Sequence, residues 1–196
     1  MVRTVQIIKL NENNEMHIHH NMSVLLCVLL AVLLNGCTGT KQTESEDTAS
    51  PTSIAFEART IDVTSVSSDI FSESRITMVN VWATYCNPCL SEMPGLGELS
   101  GSYDSADFQL IGIISDVPEG TGENALNTAS DLIEQTGAGY PHLLLNESLY
   151  TALLTDVSAV PTTFFISQDV AILDTVIGAM EKSAWEERVN ALLEKE

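Results

Sequence analysis

Hydrophobic and polar residues follow one another from residue 54 onward in a pattern that predicts a mixed α/β domain. Residues 76–84 and 108–115 are almost continuously apolar and rich in β-branched side chains, which is typical of strands buried on both faces. Residues 56–63 alternate loosely and predict an edge strand. The remaining predicted strands are residues 142–145 and a hairpin of residues 162–167 and 171–177, with its turn at Gln168 and Asp169.

Apolar residues at helical spacing separate these strands. Three such segments are residues 87–102, 124–136 and 147–154. Pro94 lies inside the first, Gly137 is a natural end for the second, and Asn146 is a candidate N-cap for the third.

The C-terminal segment begins with Ser183 and Glu186, a Ser-x-x-Glu pattern that predicts a capping box and a final helix. The predicted order is β, β, α, β, α, β, α, β, β, α. The early strands then need crossover helices and the late ones form a hairpin. We therefore predict an α/β fold with a central mixed sheet flanked by helices.

Residues 1–53 lack this pattern and predict an export leader followed by a tether. Residues 22–34 form an apolar run of 13 residues. A bilayer-spanning helix needs about 20 residues, whereas this length suits the apolar region of a secretory signal. The run ends in Leu34-Asn35-Gly36-Cys37, which resembles a lipobox. We expect cleavage before Cys37 and lipid attachment to it; a conventionally cleaved or uncleaved signal is the alternative.

Three regions follow from this division. Residues 1–36 are expected to be the signal peptide, with Met16 and Met22 as alternative start sites. Residues 37–53 are polar and rich in Ser, Thr and Glu, and predict a lipid-anchored flexible tether. Residues 54–196 are expected to form the folded domain, in an extracytoplasmic position at a membrane.

The net charge of the chain argues against some classes of binding partner. The chain has 8 basic and 27 acidic residues among 196, a formal net charge of −19. Nucleic acid is therefore not expected as a partner, because its phosphates would be repelled. An anionic membrane surface would also repel the domain, so attachment to a membrane requires the lipid anchor.

The candidate chemistry lies in Cys86-Asn87-Pro88-Cys89, which directly follows a buried strand and opens a helix. Free backbone N–H groups and the helix dipole at a helix N-terminus favour a thiolate on the first cysteine. Pro88 in the first turn costs no helical hydrogen bond. Such a pair performs thiol–disulfide exchange, with Cys86 as nucleophile and Cys89 as resolving thiol. Half of a zinc knuckle and a static bridge are the alternatives.

No metal or cofactor is expected apart from the redox-active disulfide itself. The histidines His17, His19 and His20 form the one metal-like cluster, and they would leave with the leader. Cys86, Cys89 and His142 do not make a convincing zinc site, because tetrahedral zinc needs four ligands.

Two further residues are candidates for the same site. Pro161 enters a buried strand, where proline is accepted at the first residue. A cis bond at Val160-Pro161 would place a turn against the dithiol, and an ordinary strand-start proline is the alternative. Glu92 lies three residues after Cys89 on the same helix face. It could take the proton of Cys89 during resolution, or be a solvated helix residue.

Residues 79–94 (VNVWATYCNPCLSEMP) resemble the active-site segment of the TlpA/ResA-like thioredoxin-fold family, and residues 160–164 (VPTTF) resemble its cis-proline segment. The resemblance covers roughly residues 54–196. It implies a thioredoxin fold with an N-terminal β extension and an insertion after the second core strand, at about residues 116–155. It also implies catalytic roles for Cys86, Cys89, Glu92 and Pro161, and a substrate-binding face formed by Trp82, Tyr85, Pro88 and Val160.

The resemblance implies a protein disulfide reductase, a lipoprotein that acts on exported disulfide-bearing proteins, for example during cytochrome c maturation. Electrons would come from a membrane thiol transporter of the CcdA or DsbD kind. Tyr85 replaces the family's usual tryptophan, and Leu90 and Ser91 replace a commonly basic or polar pair. With no cation nearby and a strongly negative chain, we expect the thiolate to be disfavoured and the pair to be reducing.

Other activities fit the same dithiol. A thiol oxidase would use the same residues in the opposite direction. A peroxidase needs an arginine beside the thiolate, and Arg59, Arg75 and Arg188 are the candidates within the domain. A copper(I)-binding thiol chaperone would use both sulfurs as soft ligands, although the additional histidine or methionine cluster is missing.

Overall fold

The computed structural model describes residues 54–195, and the predictions for the signal peptide, for Cys37 and for the tether lie outside these residues. The strands are β1 (Glu57–Arg59), β2 (Ser65–Ser67), β3 (Ile76–Trp82), β4 (Phe108–Pro118), β5 (His142–Leu145), β6 (Thr162–Ser167) and β7 (Ile172–Ile177). The helices are α1 (Asn87–Ser100), α2 (Glu123–Thr136), α3 (Glu147–Leu149) and α4 (Lys182–Leu193), with a 3-10 helix at Ser68–Glu73 and a π-helical turn, Tyr150–Leu154, that continues α3.

The five-stranded sheet has the order β5-β4-β3-β6-β7. Strand β3 is central and pairs in parallel with β4 and antiparallel with β6. All seven residues of β3 are buried, as its largely apolar sequence predicts for a strand covered on both faces. The predicted mixed sheet is confirmed.

Alternate residues of β3 point into two hydrophobic cores on opposite faces of the sheet. Met78 and Trp82 pack in the core that is covered by α1, α2 and α4, where Leu96 and Trp185 are fully buried. Val79 and Val81 pack in the second core. That core is closed by the N-terminal segment, the 3-10 helix, α3 and the π-helical turn, through Phe56, Phe71, Leu149 and Leu153. Helices therefore flank both faces, and α1 opens at the end of the most deeply buried strand.

The N-terminal β extension is a two-stranded antiparallel sheet of β1 and β2. The sequence predicted one strand over residues 56–63, which is wrong because the chain turns after Arg59. The Thr60 side chain bonds Asp62 and receives the Thr64 backbone N–H at 3.0 Å, and Val63 adopts a positive φ of 64°. A polar turn thus divides the segment.

Two of the predicted helix ends are confirmed, and one is wrong. Gly137 ends α2 at a φ of 67°, and the Asn146 side chain accepts the Leu149 N–H at 2.8 Å as N-cap of α3. The predicted capping box of Ser183 and Glu186 is wrong. Helix α4 begins at Lys182 with Glu181 as N-cap and has no side-chain cap. Lys182 instead pairs with Glu98 of α1 and Glu186.

Within residues 54–195, none of the helices has both the length and the apolar character required to cross a bilayer.

Candidate active site

Cys86 is the N-cap of α1 and forms a disulfide bond with Cys89. The four residues Ala83–Cys86 join buried β3 to this helix, and the Cys86 N–H donates to the Ala83 carbonyl at 3.0 Å. The Cys86 sulfur accepts the Cys89 backbone N–H at 3.3 Å. This N–H is one of the free donors at a helix start, so the site is prepared to stabilise a thiolate on Cys86.

The two cysteines differ in their exposure to solvent. Cys86 is 6% exposed, whereas Cys89 is fully buried. Of the two, Cys86 is therefore the cysteine that a substrate disulfide can approach more readily. This asymmetry suits a first thiol that attacks and a second thiol that resolves the mixed disulfide.

The Val160–Pro161 peptide bond is cis, and it lies against the disulfide. The Val160 carbonyl oxygen is 3.6 Å from the Cys86 sulfur. Of the two readings of Pro161 that the sequence left open, the structure thus contains the cis proline beside the dithiol. The backbone at Val160 also remains next to the reactive sulfur, where an extended partner chain can pair with it.

Glu92 lies on the face of α1 that turns toward the sheet, and it is only 6% exposed. One carboxyl oxygen accepts the Asn80 side-chain N–H at 3.0 Å, and the other accepts the Met180 backbone N–H at 3.1 Å. The Trp185 indole also faces this carboxyl and lowers its pKa without reaching hydrogen-bond geometry. Burial is the larger effect, so the pKa of Glu92 is raised above its ordinary value.

A carboxyl group with a raised pKa exchanges protons closer to neutral pH than a solvated glutamate does. The alternative of a solvated helix residue is therefore wrong for Glu92. Asn80 holds the group in place from the central strand, since its amide also donates to the Thr163 hydroxyl at 3.0 Å. Asn80 and Thr163 are direct partners in the β3–β6 register, which explains this contact.

Trp82 does not lie where a substrate could reach its side chain. It is fully buried, and its indole N–H donates to Nδ1 of His142 at 3.1 Å. The expected substrate contact through Trp82 is therefore corrected to a position in the core at the end of β3. The structure does bring the other three residues of that group, Tyr85, Pro88 and Val160, to the surface around Cys86 or to its edge.

His142 is held as a neutral imidazole by two contacts. Its Nδ1 accepts from Trp82, so Nε2 carries the proton and donates to the Ala138 carbonyl at 2.9 Å. Burial lowers the pKa of His142 to about 4. The ring fits because Gly112 lies beside it in the sheet, where a Cβ would come within 2.2 Å of Nδ1.

A cavity of about 210 Å³ opens beside the cis-proline loop. Tyr85, which is 74% exposed, and Tyr150, which is 48% exposed, form part of its wall. Its other lining residues are Val81, Ser115, Leu145, Leu154, Val157, Ser158, Ala159 and Val160. Because Val160 also touches Cys86, one wall of the cavity adjoins the reactive sulfur. We refer to it as the tyrosine groove.

A group of three or more His, Cys, Asp or Glu side chains placed to hold a metal ion is not found in the part of the chain that the structure describes.

The sequence that carries this site matches a known protein family. Residues 51–174 match the model of the AhpC/TSA family. The chain belongs to the AhpC/TSA family. The match includes the dithiol, the buried glutamate and the cis proline.

Curated relatives of this AhpC/TSA protein include ResA proteins. The Thiol-disulfide oxidoreductase ResA of Halalkalibacterium halodurans is 26% identical over 115 residues, which cover 59% of this chain and 61% of the relative. The protein of the same name from Bacillus subtilis is 23% identical over 171 residues, which cover 86% of this chain and 88% of the relative. The chain thus spans less than two thirds of the first relative and most of the second.

Solved structures confirm the predicted thioredoxin fold. A thioredoxin family thiol:disulfide interchange protein from Chlorobium tepidum aligns with a TM-score of 0.60 at 23% identity, covering 71% of this chain and 93% of that protein. StoA from Bacillus subtilis aligns with a TM-score of 0.54 at 21% identity, covering 68% and 94%. The resemblance to TlpA/ResA-like proteins is confirmed at the level of fold and relatives.

Three residues have a role at this site that the sequence did not predict. Tyr150 lies in the π-helical turn of the insertion, and no local pattern connects it with Tyr85. The sequence indicated His142 only as a weak candidate for binding zinc. Asp116 lies near the C-terminal end of β4, where its carboxylate binds Thr84. An acidic residue at the end of a strand that runs parallel to β3 was the available signal, since such ends meet at one edge of a sheet.

Proposed function

We propose that this protein is an extracytoplasmic thiol–disulfide oxidoreductase that reduces disulfide bonds in exported proteins. The observation that carries the proposal is the Cys86–Cys89 disulfide at the N-terminus of α1, with Cys86 slightly exposed beside a cis proline and Cys89 fully buried. The name thiol-disulfide oxidoreductase that its ResA relatives bear supports the same activity.

The reaction begins from the reduced pair. The Cys86 thiolate attacks one sulfur of the substrate disulfide and displaces the other as a thiolate, which gives a mixed disulfide. Glu92 accepts the proton of the Cys89 thiol. The Cys89 thiolate then attacks the Cys86 sulfur, restores the disulfide of the enzyme and releases the substrate's second thiolate. Two electrons pass to the substrate, whose thiolates take up protons.

The oxidised pair must then be reduced again. We propose a membrane thiol transporter of the CcdA or DsbD kind as the source of electrons, because the expected position of the domain is outside the reducing cytosol. Lipid attachment at Cys37 would keep the domain near such a transporter. Reduction of apocytochrome c before haem attachment is one use that fits this arrangement.

Tyr85, Pro88 and Val160 are proposed to contact the substrate, with Pro161 keeping the Val160 backbone beside Cys86. The tyrosine groove supports this assignment, since two exposed aromatic side chains near a reactive sulfur offer an apolar contact to a peptide. Trp82 is assigned no substrate contact.

The opposite direction of electron flow uses the same residues, so a direct measurement decides between them. The reduction potential of the Cys86–Cys89 pair is expected near or below about −270 mV, the value of thioredoxin. A value near about −120 mV, that of DsbA, would make the protein an oxidant.

The chemical role of the pair is tested with insulin reduction in the presence of dithiothreitol. Cys86→Ser is expected to abolish turnover, and Cys89→Ser to accumulate a mixed disulfide with the substrate. Full activity in Cys86→Ser would refute the proposal. Peroxide reduction is not favoured: Arg59, Arg75 and Arg188 each pair with an acidic residue away from the dithiol in residues 54–195.

A further inference from the structure

The segment that carries Cys86 is tied to the neighbouring strand by one carboxylate. Asp116, in β4, accepts the Thr84 backbone N–H with both oxygens, at 3.0 Å and 3.2 Å. It also accepts the Thr84 hydroxyl at 2.5 Å. Three contacts to a single residue fix both its backbone and its side chain.

Ser115, which precedes Asp116 in β4, holds Trp82, the residue just before this segment. The Ser115 hydroxyl donates to the Trp82 carbonyl at 2.9 Å. Between Trp82 and the first residue of α1 there are only Ala83–Cys86, and the Cys86 N–H is bound to the Ala83 carbonyl. A displacement of Thr84 would therefore move Cys86 relative to the Val160 carbonyl.

The charge of Asp116 has no cationic partner. Among the ion pairs of residues 54–195, none includes Asp116, and the donors that it binds are a neutral amide and a neutral hydroxyl. The other ionisable groups of the segment and of α1 are Tyr85, Cys89, Glu92 and Glu98, and none of them is cationic, so no positive side chain of these two elements offsets the charge of Asp116. A fixed negative charge opposes a nearby thiolate.

We infer that Asp116 is a positioning residue for Cys86, and that its charge also makes the Cys86 thiolate less favourable. The carboxylate of Asp116 holds the segment Ala83–Cys86 in place and lowers the reactivity of the Cys86 sulfur. The inference rests on the proposed function, since it assigns Asp116 to the same thiol–disulfide exchange. If so, substitutions of Asp116 can separate the effect of its charge on Cys86 from the effect of its hydrogen bonds to Thr84.

Asp116→Asn tests the charge, because an amide oxygen can still accept the Thr84 N–H. In the reduced full-length protein, alkylation of Cys86 by iodoacetamide at pH 7 is expected to become about threefold faster or more. Peptide mass mapping identifies the alkylated cysteine. The equilibrium with glutathione is expected to shift toward the dithiol form. Asp131→Asn is the matched control, since Asp131 is exposed on α2.

Asp116→Ala tests the anchor. It removes the charge as Asn does, but it also removes the acceptor, so insulin reduction is expected to fall about tenfold below that of Asp116→Asn. Thr84→Val and Thr84→Ser provide a second test if the alanine variant does not fold. Both keep Asp116, and only Ser keeps the hydroxyl. Valine is expected to slow exchange and serine to restore it.

Two results would overturn the inference. If Asp116→Asn matches Asp131→Asn in alkylation rate and in glutathione equilibrium, the charge has no effect on Cys86. If Asp116→Ala and Asp116→Asn reduce insulin at equal rates, and Thr84→Val does so as fast as Thr84→Ser, the anchor has no positioning role. Failure of the proposed function is distinguishable, because the wild-type protein would then not reduce insulin at all, whereas alkylation of Cys86 needs no protein substrate.

Discussion

At the scale of single residues, Glu92 is a buried acid whose protonation is linked to its surroundings. Local sequence placed it on the face of Cys89, and the structure adds the burial that raises its pKa. The sequence could not supply that burial, because it depends on Asn80 from β3 and on the Met180 backbone. The spacing from Cys89 therefore identified Glu92 as a candidate, whereas its raised pKa results from tertiary packing.

Glu92→Gln is expected to slow release of the substrate from the mixed disulfide by about 100-fold, the lower end of general acid–base effects. The amide cannot take the Cys89 proton, whereas the first attack by Cys86 is unaffected. Rapid quenching with acid and mass spectrometry would measure both steps. Glu98→Gln, on the same helix but exposed, is the control. Equal slowing of both steps would instead indicate a disturbed helix.

His142 makes a second residue-scale prediction, about stability. Burial lowers its pKa from 6.5 to about 4, so the unfolded chain binds a proton that the folded protein excludes. Stability is therefore present above pH 6.5 and is lost as the pH falls toward 4. The expected loss is on the order of 3 kcal/mol.

Urea unfolding of the wild type and His142→Gln at several pH values measures this loss. The free energy of unfolding of the wild type should fall more steeply than that of the variant between pH 6.5 and 4. Glu92 contributes in the opposite direction, because its raised pKa favours the folded state at low pH. Since Glu92 is present in both proteins, the difference isolates His142. Parallel curves would contradict the prediction.

At the scale of elements, the sequence predicted most strands and helices because their patterns are local. Strand β3 is largely apolar, and α2 has a clear periodicity and a terminal glycine. The errors occurred where side chains override the pattern. The Thr60 turn divides the first predicted strand, and α4 starts at Lys182, one residue before Ser183, where Lys182 pairs with Glu98. Likewise, only the packing of the insertion brings Tyr150 to the groove.

The tyrosine groove yields a prediction for the insertion. Tyr150→Ala is expected to raise KM for insulin severalfold and to leave the reduction of a small disulfide such as cystine unchanged, because cystine needs the Cys86–Cys89 pair but no contact with the groove. A steady-state assay with both substrates separates these effects. Ile172→Ala is the control, since Ile172 is 51% exposed and pairs with the end of β6 that lies away from Pro161. An equal loss with both substrates would exclude a role in peptide binding.

At the scale of the whole molecule, the net charge of −19 governs how the protein responds to salt. Four basic side chains of residues 54–195 are already used in ion pairs, by Arg59, Arg75, Lys182 and Arg188. The acidic surplus therefore repels itself in the folded state, and dissolved ions screen that repulsion.

We accordingly expect the thermal unfolding midpoint to rise by several degrees between about 10 mM and 500 mM NaCl, as about 1 kcal/mol of repulsion is relieved. Calorimetry at pH 7 measures the change, and KCl should give the same result because the effect is not specific to sodium. The salt dependence should weaken toward pH 4, where carboxylates become protonated and less charge remains to be screened. A midpoint that falls with salt at pH 7 would show that the ion pairs outweigh the repulsion among the remaining carboxylates.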